Sequence, residues 1–193
     1  ARHQRLDLLL GAIVGGGMVG LSIANQLIEK GITDKIIIID KEKKLGCHSS
    51  GRNSGVLHAG IYYKPNSLRA KVCIDGARRL KKWIFKRNLP INNCGKIIVP
   101  TKIQLDEQID LLFKRGSING AKVEIWDDLK LKKEAPGVRS ASGRCIWSPN
   151  TAVVKPLSIV TRLQNELEDK GVSFHFEGDN LTFNPERREI VLG

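Results

Sequence analysis

Long hydrophobic runs are missing from this 193-residue chain. No apolar stretch approaches the ~18 residues that a membrane-spanning helix requires, so no such span is expected within it. Cysteine is scarce. Cys47, Cys73, Cys94 and Cys145 form no CxxC pair, and His48, His58 and His175 complete no zinc pattern with them. That excludes a structural zinc site and a disulfide-stapled scaffold, and leaves free thiols as the expectation. Internal repeats and low-complexity tracts are absent too, which excludes a solenoid. Acidic residues are outnumbered, 20 against 32 Lys and Arg, for a net charge of +12. The densest basic runs are Lys41 to Lys44 and Arg78 to Arg87. The second alternates with Leu80, Trp83 and Ile84, as a solvated helix face does. Because the basic residues are spread along the chain, no nucleic-acid partner is expected. The balance suits anionic ligands or an anionic membrane surface.

What is present is a glycine motif between two apolar strands. Leu8 to Val14 reads as a buried parallel strand. The opening ARHQRLDLLLGAIVGG is basic and then apolar, but it runs into the motif that needs it as a strand, so it is read as structure rather than as a targeting segment. Gly11 and Ala12 are expected to interrupt this strand, with a bulge or an altered start near Asp7. GGGMVG, Gly15 to Gly20, fits GxGxxG. Gly15 permits the tight turn, Gly17 lets the backbone approach a pyrophosphate, and Gly20 allows helix to pack on strand. Val19, Ile23 and Leu27, with Ala24 and Ile28 beside them, then mark a helix face that Gly31 closes. Lys35 to Asp40 is a second strand ending in an acid, placed to accept ribose hydroxyls. Strand, glycine turn, helix, strand and acid together indicate dinucleotide binding, with phosphates on the helix N-terminus.

The rest is mixed. Helices are expected after Pro65, Asn66 and Ser67 (face Leu68, Val72, Leu80, Ile84), at Leu105 to Phe113, at Asp127 to Glu134, and from Pro156 to Gly171. Strands are expected at Cys94 to Thr101, Ala121 to Trp126, Cys145 to Ser148 and Val172 to Phe176. Leu181 to Phe183 and Glu189 to Leu192 read as paired strands around a turn near Asn184 and Pro185. The loop after Asp40 is rich in Gly, Ser, Asn and His. Ser49, Ser50, Asn53 and Ser54 offer hydroxyl and amide groups to a pyrophosphate or ribityl chain, Gly51 and Gly55 allow close backbone approach, and His48 stands beside them. Such residues also build ordinary turns.

The motif alone does not choose between NAD and FAD. The loop does: GCHSSGRNSGVLHAGIYYKPNSLRAKVC, Gly46 to Cys73, resembles the segment after the second strand in the D-amino-acid-oxidase-like FAD superfamily. Within that superfamily it is most similar to the L-2-hydroxyglutarate dehydrogenases and oxidases. NCGKIIVPT from Asn93, KKEAPGV from Lys132 and the proline-led helix from Pro156 carry the same resemblance, which runs from about Ile13 to Phe176. NSGVLHAGIYY is its most specific stretch. Two positions depart: Arg52 stands where the family usually has a histidine, and Thr151 to Lys155 replace a glycine and an acid. Both bear on substrate specificity rather than on FAD binding.

The resemblance implies an FAD-dependent oxidation of a small anionic 2-hydroxy acid, L-2-hydroxyglutarate to 2-oxoglutarate, with the electrons passing to a quinone or to oxygen. It also implies a cytoplasmic protein, with room for peripheral attachment to the inner membrane. His58 is the natural acceptor of the hydroxyl proton, although a lone histidine beside Leu57 and Ala59 also fits a core residue or a flavin hydrogen-bond partner. His48 is the second choice. Arg52 suits a substrate carboxylate or an anionic flavin, and Tyr62 and Tyr63 suit a pocket wall. A glycerol-3-phosphate dehydrogenase or amino-acid oxidase of the same superfamily keeps the fold with another substrate. An NAD-dependent dehydrogenase would not need the loop Gly46 to Gly55. A non-catalytic basic binding module is the alternative of another class.

The fold expected is α/β: a Rossmann-like FAD-binding domain interrupted by a mixed α+β substrate domain. Residues 7–64 form the βαβ unit and cofactor loop, 65–154 the first part of the insertion, and 155–193 the return to the FAD-binding domain. The last strands stop at Gly193 with no following helix, so the chain is expected to be incomplete.

Overall fold

The computed structural model describes residues 11–178, 181–187 and 189–192. Leu8 to Leu10 and the start expected near Asp7 lie outside them. The described chain divides into two compact units, one made of residues up to Ser54 together with those from Pro156 onward, the other of Gly55–Lys155.

In the first unit, β1 (Gly11–Val14) pairs in parallel with β2 (Ile36–Ile39), and β2 with β9 (Ser173–His175), in the order β1-β2-β9. All four residues of β2 are isoleucines and all are buried, as the middle strand of a parallel sheet requires. Gly11 and Ala12 do not interrupt β1. They pair in unbroken register with Ile36 and Ile37, because the ladder is formed by backbone groups that both residues supply. Helix α1 (Met18–Glu29) follows the glycine turn. Its buried residues are Gly20, Leu21 and Ala24, whereas Val19 and Ile23 are 74% and 48% exposed. Of the face expected from the spacing, Ala24 is buried but Val19 and Ile23 are not. The small residues Gly20 and Ala24 take the buried side because they let the helix axis come close. Helix α5 (Pro156–Asp169) buries Ile159, Val160, Leu163 and Leu167. It ends at Gly171 in the left-handed region (φ 86°), where the Val172 N–H returns to Leu167 O. A hairpin, β10 (Leu181–Asn184) with β11 (Glu189–Leu192), is antiparallel around the turn at Asn184 and Pro185.

The second unit holds two three-stranded antiparallel sheets. In one, β8 (Ala152–Val154) lies between β3 (Val56–Leu57) and β4 (Ile91–Asn92). In the other, β7 (Cys145–Ser148) lies between β5 (Lys96–Ile98) and β6 (Glu124–Trp126). Helix α2 (Leu68–Lys86) starts at Ser67, whose side chain accepts from the Ala70 N–H. Leu68 and Val72 on its first turns are 76% and 61% exposed, while Ile84 is fully buried, so only the later part of the expected face is covered. A 3-10 turn at Ile103–Leu105 leads into α3 (Glu107–Ile118), and α4 (Asp128–Glu134) is capped by the Asp127 side chain. Trp126, Leu131 and Cys145 form a core that Ile97, Val99 and Trp147 complete. The boundary expected at residue 64 falls ten residues earlier. Residues 55–64 group with the second unit because Val56 and Leu57 pair with Val153 and Ala152.

Candidate functional site

The first unit carries the phosphate-type turn. Gly15 has φ 103° and donates its N–H to Ile39 O (2.8 Å). A Cβ on Gly20 would stand 2.0 Å from Gly15 O, so the helix could not seat against the turn with any other residue there. Gly16, the position the motif leaves unspecified, is as constrained: a Cβ would meet Leu45 Cδ2 at 2.3 Å and Asp40 Oδ2 at 3.1 Å. Gly17 is the N-cap of α1 and offers no side-chain cap, and the first turn holds no acid. The dipole end of α1 is thus left positive, as an anion site needs.

Asp40 sits at the end of β2 as expected. Its Oδ2 accepts the Gly16 N–H (2.7 Å) and its Oδ1 the Glu42 N–H (3.0 Å). The same carboxylate that ribose hydroxyls would use therefore also fixes the glycine turn and the start of the loop. Ser50 Oγ accepts the Met18 N–H (3.0 Å), capping α1 from a distant point of the chain. His48 Nε2 lies 2.7 Å from Glu42 Oε1. The Asn53 amide donates to Ser49 O (2.9 Å) and Ser50 O (3.3 Å), holding the serine turn in shape. Arg52 is exposed and its N–H donates to His48 O.

These residues surround a cleft of about 350 Å³. Gly15, Gly17, Asp40, His48, Ser49 and Ser50 line it. Of the other residues expected at a cofactor, Gly20 and Asn53 act behind the lining, and Ser54 is exposed. Gly55 belongs to the second unit, where its carbonyl accepts the Val154 N–H (2.9 Å). The sequence reading missed Glu42, Lys44, Gly46 and Gly178 in the lining. Gly178 comes from the end of β9, its N–H bonded to Asp40 O (3.1 Å). Only the pairing of β2 with β9 brings it there, and no local motif announces it.

His58, Tyr62 and Tyr63 lie in the second unit. The His58 and Tyr62 rings meet edge to face with centroids 6.2 Å apart. His58 is exposed at the surface; its partial desolvation, and then the positive charge of Lys96, hold its imidazole below its ordinary 6.5, which favours the neutral form a proton acceptor needs. Asn119 fixes this loop, donating to Gly60 O (2.9 Å) and Tyr63 O (3.0 Å). Tyr63 is half-buried and Tyr62 exposed. Among the described residues no cluster of His, Cys, Asp and Glu could hold a metal ion, and no helix is long and apolar enough to cross a membrane.

Residues 12–188 match the family described as FAD dependent oxidoreductase. The chain belongs to that family. Its relatives in the FAD dependent oxidoreductase family include the mitochondrial L-2-hydroxyglutarate dehydrogenase of Caenorhabditis elegans, 38% identical over 160 residues, which are 82% of this chain and 36% of that protein. The L-2-hydroxyglutarate dehydrogenase of Escherichia coli (strain K12) is 30% identical over 180 residues, 93% of this chain and 42% of that protein. The chain thus spans less than half the length of these relatives. Among solved structures, the FAD-bound L-alpha-glycerophosphate oxidase of Mycoplasma pneumoniae aligns with TM-score 0.79 at 24% identity, covering 91% of this chain and 47% of that one. This likeness shows the fold. The residues of the cleft fit the family's cofactor: a glycine turn in which Gly16 and Gly20 leave no room for a Cβ, a helix start with no acid in its first turn, and an acid at the end of β2.

The positive charge is not spread evenly over the two units. Residues 55–155 contain 20 Lys and Arg against 8 Asp and Glu, a net of +12. The remaining residues contain 12 of each, a net of zero. The even spread expected from the sequence is corrected here: the whole excess belongs to one unit.

Proposed function

We propose that this chain supplies the dinucleotide half and part of the substrate half of an L-2-hydroxyglutarate dehydrogenase. The observation that carries this reading is the identity of 30–38% with L-2-hydroxyglutarate dehydrogenases of an animal and a bacterium across most of the chain. In this reading the FAD pyrophosphate sits over the Gly15 to Gly20 turn, at the N-terminus of α1, whose N-cap is Gly17. Asp40 uses its remaining lone pairs for the ribose hydroxyls, since each carboxylate oxygen accepts more than one hydrogen bond. His48, Ser49, Ser50, Asn53, Ser54 and Gly55 belong to the segment that follows the cofactor.

Residues 55–155 form a substrate domain inserted into the FAD-binding domain. Bound FAD would supply the hydride acceptor for the substrate's α-hydrogen. His58 accepts the hydroxyl proton, for which its depressed basicity keeps it neutral and ready. Arg52 pairs with the α-carboxylate, and Tyr63 shapes the pocket. A quinone or oxygen would be the final electron acceptor. Peripheral attachment to an anionic membrane face on the cytoplasmic side suits the basic unit.

The test is the absorbance spectrum of the FAD-loaded protein before and after anaerobic L-2-hydroxyglutarate. Bleaching of the flavin band by this acid, and not by glycerol 3-phosphate or amino acids, is the expected result. Bleaching by glycerol 3-phosphate alone would move the assignment to another member of the family.

A further inference from the structure

The basic unit contains an ammonium group with no carboxylate partner among the described residues. Lys96 Nζ donates to Tyr62 Oη (2.7 Å) and stands 4.7 Å from the centroid of the same ring. Among the described residues it makes no ion pair. The strand geometry explains its direction. Ile97 and Val99 pack into the core of Trp126, Leu131 and Cys145, and alternation along β5 sends Lys96 and Ile98 to the other face. Gly95 fixes the entry to the strand. Its φ is 69°, and a Cβ there would lie 2.0 Å from Trp147 Cη2.

Tyr62 is held just as firmly from the other side. Asn119 bonds the carbonyls on both flanks of the Ile61–Tyr62 segment, and Arg115 Nη1 donates to Tyr62 O (3.4 Å). Ile61 is buried against α3, where Gly116 leaves room for it.

We propose that Lys96 and Tyr62 form the seat for the distal carboxylate of the substrate, and so determine its preference for a dicarboxylate. The proposal rests on the 2-hydroxy-acid reading above. Tyr62 accepts from Lys96, so the phenol O–H is left to donate outward, and the ammonium keeps two further hydrogens for the same anion. A carboxylate here receives two charge-assisted or phenolic bonds from groups already fixed in place, so little ordering is required on binding. The His58 and Tyr62 rings meet edge to face, so this seat adjoins the histidine that the functional reading makes the proton acceptor. The positive excess of this unit draws such a dianion in.

Lys96→Met, Lys96→Arg and Tyr62→Phe in the FAD-loaded holoenzyme test this. Anaerobic flavin reduction is followed with L-2-hydroxyglutarate and with L-2-hydroxybutyrate, which lacks the distal carboxylate. The ratio of the two kcat/KM values cancels effects common to both acids. Lys96→Met is expected to lower that ratio about 10- to 100-fold, the loss of one charge-assisted bond. Tyr62→Phe should lower it less, and Lys96→Arg should recover most of it. An unchanged ratio in Lys96→Met and Tyr62→Phe would overturn the proposal, even if both rates fell. Glutarate, which has both carboxylates but no hydroxyl to oxidise, gives a second readout should Lys96→Met not fold: its Kd, titrated against the flavin spectrum, must rise in Tyr62→Phe. If neither hydroxy acid reduces the parent flavin, the functional reading falls and the proposal with it, a result separable from an active enzyme with an unchanged ratio.

Discussion

Replacing Asp40 with alanine should separate two tasks that one carboxylate performs. The side chain accepts the Gly16 N–H (2.7 Å) and the Glu42 N–H (3.0 Å), and FAD ribose would be its third partner. Both internal bonds are part-buried and end on a charged acceptor. Losing the acceptor strands two backbone donors at about 1–2 kcal/mol each, so Asp40→Ala should destabilise the apoprotein by about 2–4 kcal/mol. For a chain of this size that is roughly 4–16 °C in Tm. FAD affinity should fall further, by about 10- to 100-fold, as the ribose bonds go. Asp40→Asn keeps one carbonyl acceptor but turns an NH2 toward a backbone N–H, so its Tm should lie between. Far-UV circular dichroism of the apoprotein gives the first quantity and titration of the apoprotein with FAD the second. If Asp40→Ala lost FAD while its apoprotein Tm stayed within about 1 °C of the parent, the two internal bonds would carry no stability and the reasoning would fail.

Gly20→Ala places a Cβ 2.0 Å from Gly15 O, a backbone atom that cannot step aside. It should destabilise the apoprotein by at least about 1–3 kcal/mol and abolish FAD retention, and parental flavin content would contradict the packing. Gly95→Ala strains a φ of 69° and drives into Trp147, so it should unstack Trp126 from Trp147, seen as a shift in tryptophan emission at lower denaturant. His58→Ala should slow flavin reduction far more than it lowers FAD content, and equal reduction rates would remove His58 from the mechanism. Because partial desolvation and then Lys96 lower the His58 pKa from 6.5, the native imidazole takes up its proton at lower pH than the unfolded one. His58 therefore costs stability as pH falls from 6.5 to its folded value, and the acid limb of kcat/KM should lie below 6.5. In Lys96→Met the limb should move up without reaching 6.5, since the desolvation remains, and a parental limb above 6.5 would exclude His58 as the base.

The βαβ unit was legible because three independent signals coincide: the glycine spacing, four consecutive isoleucines and the terminal acid. The face of α1 was not. Val19 and Ile23 have the right period, but a helix that lies close on a sheet does so through small residues: Ala24 stands at the edge of the expected face, and Gly20, without a side chain, gives no hydrophobic signal. The sheet β3-β8-β4 escaped notice because strands of two and three residues are too short to show a period. Asp40 was rightly placed at the end of β2, yet its hold on Gly16 is a tertiary bond over 24 residues that no local pattern encodes. Lys96 passed as one basic residue among many. Its importance follows from the alternation that turns Ile97 into the core and Lys96 away from it. Gly178 shows the same limit from the other end of the chain, reaching the cleft only when β9 docks.

The pairing of β3 with β8 has a consequence for the order in which the chain can fold. β2 must find β9 across an intervening stretch that includes all of residues 55–155, and closing a loop that long from the unfolded state carries a large entropy cost. The Val154 N–H bonds to Gly55 O, and Val56 and Leu57 pair with Val153 and Ala152, so the two ends of the insertion are zipped together where they enter it. Once that zipper forms, the loop between β2 and β9 shortens from about 130 residues to about 35, which lowers the closure cost by ~1 kcal/mol. The insertion then acts as a hairpin for the sheet it interrupts. Refolding should accordingly show the antiparallel sheets of residues 55–155 protected from hydrogen exchange before the amides of β9.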